Sequence, residues 1–172
     1  MSDAESKAQF ERLVLPHLDA AYNLARWLAG NDHDAQDIAQ EACMRAFRFV
    51  AGCRAADGRS WLLAIVRNTA YTWLKKNRSP RLVSVDQDEF DEIEDHNPPA
   101  GAVHCADTAA VREALEALPL EFREALVLRE IEGLSYKEIA EVAGLPIGTV
   151  MSRLARARRE LRVAFETKGE KV

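Results

Sequence analysis

The sequence predicts an all-α fold made of two small helical domains joined by an acidic flexible linker, and three observations lead there. Apolar residues recur at helical spacing through both halves of the chain. No segment alternates with the period of a strand. Across residues 79–107 the helical period lapses into a block of acids followed by Pro98-Pro99 and Gly101, the composition of a linker. The chain has 172 residues, 48% hydrophobic and 30% charged, too apolar for a disordered protein and long enough for two cores of about 50 residues or more. The expected boundaries are 1–80, a linker over 81–107, and 108–172.

Phe10, Leu13, Val14, Leu18, Tyr22, Ala25 and Leu28 form one apolar stripe, which predicts a helix kinked at Pro16 and ending near Gly30-Asn31. Asp32 or Asp34 can cap a second helix, whose buried face is expected to hold Ile38, Ala42, Ala46 and Phe49 as far as Gly52. After a loop over 53–58, Trp61, Leu62, Ile65, Val66, Thr69, Trp73 and Leu74 mark a third helix that Ser79-Pro80 stops. Beyond the linker, Val111, Ala114, Leu115 and Leu118 belong to a helix broken at Pro119. Phe122, Ala125, Leu126, Leu128 and Ile131 belong to the next, which ends before Gly133. Two more complete a second domain of four short helices.

Those last two read as a helix-turn-helix. Ser135 and Glu138 have capping-box spacing, Gly144 has the freedom a tight turn needs, and Pro146 suits the first position of the following helix. Val150, Leu154, Ala157 and Leu161 then share one face, while Ser152, Arg153, Arg156 and Arg159 are expected to turn outward. With Thr149 near the helix start and Lys137 on the preceding helix, they can combine phosphate contacts with base-edge hydrogen bonds in a major groove.

The net charge of −5 argues at first against a polyanionic partner, but its distribution reverses the argument. Arg45, Arg48, Arg54, Arg59, Arg67, Lys75, Lys76, Arg78 and Arg81 face only Asp57, whereas Asp86, Asp88, Glu89, Asp91, Glu92, Glu94 and Asp95 follow without a base among them. No charge-free run approaches the roughly 20 residues of a membrane span, and the N-terminus does not read as a signal sequence, so a cytoplasmic protein is expected. Cys43, Cys53 and Cys105 are odd in number and form no CxxC pair, and read as reduced thiols. His96, His104 and Cys105 are too sparse a set for a metal, and neither metal nor cofactor is expected.

The third helix combines aromatic faces, an amide and cations in Trp61, Asn68, Tyr71, Trp73, Lys75, Lys76 and Arg78. A flipped base needs a surface to stack on, a polar edge to read it and charge for its backbone. Trp61 suits the core better than such a surface, so Asn68 and the basic end are the firmer candidates. On the second helix Asp37, Gln40, Glu41, Met44 and Arg48 share a mixed polar face with one flexible apolar anchor. Such a face fits a partner helix; taken alone it fits a solvated helix surface as well.

In order and length these modules resemble an extracytoplasmic-function sigma factor of the sigma-70 family, nearly end to end. The first half resembles the family's second region through Tyr22-Asn23-Leu24-Ala25-Arg26, Asp37-Ile38-Ala39-Gln40-Glu41-Ala42 and Trp61-Leu62-Leu63-Ala64-Ile65-Val66-Arg67-Asn68-Thr69-Ala70. The second resembles its fourth region through Leu118-Pro119, Arg123-Glu124-Ala125-Leu126-Val127-Leu128-Arg129, Gly133-Leu134-Ser135-Tyr136 and Gly148-Thr149-Val150-Met151-Ser152-Arg153. The resemblance implies docking on core RNA polymerase, through the clamp coiled coil of its largest subunit, and recognition of promoter DNA. The helix-turn-helix would read the upstream element, and the third helix would capture bases of the melted downstream element, with Asn68 at a polar position used for one base. It also implies an anti-sigma factor as partner and no covalent chemistry. Met151 departs from the family pattern, standing where many relatives carry Arg or Lys. The acidic linker can mimic nucleic acid along a basic path in polymerase, or simply hold two modules apart.

Two rival functions follow from subsets of these residues. A conventional helix-turn-helix regulator would act without polymerase, but leaves the aromatic and basic third helix without a role. An enzyme is suggested by His33, Asp37 and Glu41 at successive helical turns, yet no second ligand cluster completes a site, and acids gather at helix N-termini anyway.

Overall fold

The structure, a computed structural model, describes residues 2–54, 58–77 and 108–169. All regular structure among them is helical. Helix α1 (Asp3–Leu13) starts at a capping box in which the Ser2 hydroxyl accepts from the Glu5 amide and the Glu5 carboxylate accepts from the Ser2 amide. Pro16 does more than kink the predicted first helix. Its missing N–H ends the hydrogen-bond ladder, and a single 3-10 turn over Leu15–His17 separates α1 from α2 (Leu18–Ala29). Helix α3 (Asp32–Phe49) is capped by Asn31, whose side chain accepts from the Asp34 amide, so neither aspartate takes that role.

Ile38, Ala42 and Ala46 of α3 are buried as expected, but Phe49 is 59% exposed. The short turn at Val50–Gly52 puts Val50, not Phe49, into the core. Helix α4 (Gly58–Asn77) enters hard against the end of α1. A Cβ on Gly58 would lie 2.0 Å from the Leu13 carbonyl oxygen, so only glycine fits where these backbones meet. Leu24, Leu28, Ile38, Leu62, Leu63 and Val66 close the three-helix core of α2, α3 and α4, each fully enclosed. Burial of this kind contributes about 1.5–3 kcal/mol per large aliphatic side chain.

The second domain is formed by α5 (Thr108–Ala117), α6 (Leu120–Leu126), α7 (Tyr136–Ala143) and α8 (Ile147–Gly169). Its last helix is 23 residues long, so the expectation of four short helices fails there. Helix α6 continues into a π-turn at Val127–Ile131, which leaves Ile131 47% exposed instead of in the core. Leu126, Leu128, Leu134, Ile139, Val142 and Leu154 fill the interior. The two domains pack on each other, α2 against α6 and α4 against α7.

Candidate nucleic-acid interface

The helix-turn-helix forms as its local sequence dictates. Ser135 and Glu138 make a reciprocal capping box at α7, and Gly144 ends that helix in the left-handed region at φ 68°, where other residues are strained. Pro146 stands one position before α8, its carbonyl accepting from Thr149 and Val150. Val150, Leu154 and Ala157 are buried and Leu161 packs at the edge of the same core. On the other side Lys137, Met151 and Arg159 are exposed, and Thr149, Ser152 and Arg156 are half-buried. The Ser152 hydroxyl donates to the Gly148 carbonyl.

Arg153 does not turn outward. Its side chain is 13% exposed and its guanidinium lies 3.3 Å from the Glu121 carboxylate of α6. The helical period places it beside Ser152 and Arg156, but α6 crosses close enough to cover it. Arg158, which the sequence did not single out, pairs with Glu130 at 3.1 Å.

On α4, Asn68, Lys75 and Lys76 are exposed, while Trp61 and Trp73 pack against the core at intermediate exposure. Arg78 lies outside the described residues, as does the acidic run of the linker. Tyr71 is not a free stacking surface here. The Arg67 guanidinium lies 4.0 Å from its ring centre, and its hydroxyl donates to Glu124 at 2.6 Å. Arg67 Nε donates to the other Glu124 oxygen at 2.8 Å. Burial, then the Glu124 charge and its hydrogen bond, push the Tyr71 phenol far above its ordinary pKa, so it remains a donor. Burial works against the charge of Arg67, and the facing Glu124 and Tyr71 more than restore it.

Four further hydrogen bonds tie α4 and α2 to the second domain. Arg59 Nη2 and the Ser60 hydroxyl donate to Glu138 Oε2 at 3.4 and 3.3 Å, and Arg59 Nη1 to the Glu132 carbonyl at 3.3 Å. Arg123 donates to the carbonyls of Leu115, Glu116 and Leu118, closing the end of α5, and to Trp27 of α2 at 2.9 Å. Arg59, Arg67, Arg123 and Glu124 were missed as functional candidates. A signal was present: Leu120, Glu124 and Leu128 fall at i, i+4 and i+8, and an acid on an apolar helical face needs a buried partner.

Asp37, Gln40, Glu41, Met44 and Arg48 all lie on the exposed face of α3, with Met44 61% exposed and Phe47 beside it at 51%. Phe47 meets Phe10 edge to face at 5.4 Å. Glu41 pairs with Arg45, so it does not complete a ligand set with His33 and Asp37. His33, Asp34 and Asp37 do converge, an exposed acidic cluster at a helix N-terminus of the kind common without any ion. Cys43 and Cys53 are free thiols, and Cys105, like His96 and His104, lies outside the described residues.

Among the described residues no helix is long and apolar enough to cross a membrane. Residues 13–79 match the family model described as sigma-70 region 2, and residues 108–161 the one described as sigma-70, region 4. The chain is 38% identical over 162 residues to the ECF RNA polymerase sigma factor SigE of Mycolicibacterium smegmatis, covering 93% of this chain and 63% of that protein. It is 34% identical over 169 residues to the RNA polymerase sigma-H factor of Pseudomonas aeruginosa, covering 93% and 88%. Against the ECF RNA polymerase sigma-E factor of Escherichia coli it is 35% identical over 137 residues, covering 74% and 72%. Among solved structures it is similar to the sigma factor RpoE of Bartonella quintana in complex with the anti-sigma factor NepR, with a TM-score of 0.68, 27% identity, and 89% and 94% of the two chains covered. CnrH, solved with the cytosolic domain of CnrY, shares the fold at a TM-score of 0.66 and 24% identity, with 96% and 95% covered.

Two helical domains in this order, the second holding a helix-turn-helix, define a two-domain protein of the sigma-70 kind. The chain belongs to the extracytoplasmic-function RNA polymerase sigma factor family.

Proposed function

We propose that this chain docks on core RNA polymerase, directs it to a promoter and helps open the duplex, with no covalent chemistry of its own, in the cytoplasm where polymerase works. The observation that carries this reading is the presence, in one chain, of a helix-turn-helix and of α4, with Asn68 exposed and Lys75 and Lys76 at its basic end. A regulator acting alone needs only the first of these.

The upstream element is assigned to Lys137, Thr149, Ser152, Arg156 and Arg159, with Arg153 supporting the helix from Glu121 and reaching DNA only if that pair opens. The exposed Met151 offers apolar contact to a thymine methyl in place of a charged one. The downstream strand is assigned to Asn68, Tyr71, Lys75, Lys76 and Arg78, with Trp61 and Trp73 shaping the helix from the core side. Stacking costs about 1.4 kcal/mol per base-pair step and a captured base returns about 1–3, so capture offsets a few steps and polymerase supplies the rest. Asp37, Gln40, Glu41, Met44 and Arg48 are assigned to the clamp coiled coil. An anti-sigma factor, as solved with the similar RpoE of Bartonella quintana, is the expected regulator.

Run-off transcription with core polymerase and a promoter selected from random sequence tests the reading. Specific initiation that depends on this chain is the expected result. A tight operator complex formed without polymerase, and no transcription with it, would favour the regulator instead.

A further inference from the structure

Helix α4 contains no acidic residue, and among the described residues the acids that accept hydrogen bonds from it, Glu124 and Glu138, come from the other domain. Glu124 is the telling one. Its side chain is 2% exposed and stands in the core register of α6, where an apolar residue would pack at lower cost. Its two oxygens receive Arg67 Nε at 2.8 Å and the Tyr71 hydroxyl at 2.6 Å. A guanidinium N–H and a phenol O–H converging on one anion form a site for an oxyanion, and a backbone phosphate is such a group. The guanidinium is held over the Tyr71 ring and its Nη1 lies 3.4 Å from Asn68 Oδ1, so the anion site is continuous with the exposed amide. Two turns earlier on α4, Arg59 and Ser60 hold a second acid, Glu138.

We propose that Arg67 and Tyr71 form a phosphate contact for the unwound promoter strand, and that the Glu124 carboxylate occupies this place until the two domains separate. DNA and the second domain then compete for one face of α4. Single-stranded DNA is the ligand the face fits, because cation, aromatic ring and exposed amide lie together along a helix free of negative charge. The proposal rests on the sigma-factor reading and deepens it, adding Arg67 to the strand-binding set and giving the closed arrangement a role.

The test uses the full chain as parent, Glu124→Gln, Arg67→Gln and the double variant, each checked for folding by a melting curve. Domain separation is read as the radius of gyration in solution scattering. Strand binding is read as anisotropy of a fluorescein-labelled mixed-sequence single strand of about 12 nucleotides, long enough to span one such groove. Glu124→Gln and Arg67→Gln both remove the ion pair, and both are expected to expand. Only Glu124→Gln should bind DNA more tightly, by about five- to tenfold if the closed form holds back that fraction of molecules. Arg67→Gln and the double variant should show no gain, and a salt slope lower by about 0.7 than that of Glu124→Gln. An equal gain in Arg67→Gln overturns the proposal, since Arg67 would then be a latch and nothing more. So does expansion of Glu124→Gln without a gain, or no change in either readout. If Glu124→Gln does not fold, Tyr71→Phe removes one donor alone and is expected to expand the chain in part; an unexpanded variant counts against the proposal. Run-off transcription by the parent holoenzyme scores the sigma-factor reading separately.

Discussion

The Arg153 guanidinium faces the Glu121 carboxylate at 3.3 Å across the α6 and α8 contact, the two side chains 13% and 12% exposed. Burial raises the Glu121 carboxyl above the ordinary glutamate value of 4.5, and the Arg153 charge opposes that rise without cancelling it. Arg153→Ala therefore leaves a half-buried acid with less compensation. It is expected to destabilise the second domain by about 2 kcal/mol, between the worth of an exposed pair and the cost of breaking a buried one. Thermal unfolding of the isolated variant checks this. A melting curve unchanged from the parent would return Arg153 to a purely DNA-facing role.

Glu138 gives a pH dependence of the opposite sign. Its hydrogen bond from the Ser135 amide lowers its pKa below 4.5, and Arg59 adds to the shift. A depressed carboxyl contributes stability that is present above the unfolded value and lost as pH falls through the folded one. Glu121, raised, contributes in the reverse sense: its share is present below the unfolded value and lost as pH rises through its folded one. Glu138→Gln should thus cost stability at pH 7 and progressively less as pH falls below 4.5, whereas Ser135→Ala should cost about 1 kcal/mol at neutral pH as a lost cap. Denaturant unfolding across that range reads both.

The fold was legible where its causes are local. The Ser135 and Glu138 capping box, the Gly144 turn and the Val150, Leu154, Ala157 stripe depend on residues within a few positions of each other. Ile131 was misplaced because a π-turn rotates its side chain out of the helical period, and Phe49 because α3 ends there and the following turn brings Val50 into the core instead. Arg153 was misread because a helical period says which residues share a face and not how far a neighbouring helix wraps over it. The Glu124 site was hidden for a stronger reason: its partner Arg67 is 57 positions away, and only the packed domains bring the charges together.

Exposed cations of the helix-turn-helix should act on affinity through salt. Arg159→Ala is expected to weaken duplex promoter binding by holoenzyme and to reduce the salt slope by about 0.9, the value for one phosphate contact on duplex DNA. Met151→Arg should raise that slope by a similar amount, because the exposed position gains a charge next to the recognition face. A slope insensitive to both substitutions would place the DNA elsewhere on the domain.

Met44, the proposed apolar anchor of the α3 face, is 61% exposed beside Asp37, Gln40, Glu41 and Arg48. A flexible thioether in a polar ring fits a partner groove that closes over it, and truncation of such an anchor costs about 1–2 kcal/mol. Met44→Ala should therefore lower the affinity for core polymerase by roughly five- to thirtyfold while leaving the melting curve within about 0.5 kcal/mol of the parent, as expected for a surface position. Titration of labelled protein with core polymerase gives the first quantity and thermal unfolding the second.

The proposed roles of Asn68 and Arg156 separate strand capture from duplex reading. Asn68 is exposed on α4, whereas Arg156 lies on α8, the helix proposed to enter the groove. Asn68→Ala should slow open-complex formation on a linear promoter by about tenfold, the weight of one lost base contact of roughly 1–2 kcal/mol, and little of that defect should remain in closed-complex affinity. Arg156→Ala should weaken closed-complex binding on the same template. On a promoter melted in advance, the strand is presented without the cost of opening. The Asn68→Ala defect there should narrow to weaker retention of the strand, while the Arg156→Ala defect persists. Footprinting of holoenzyme on both templates reads the two steps, and equal defects for both variants on both templates would show that the two helices do not divide the work in this way.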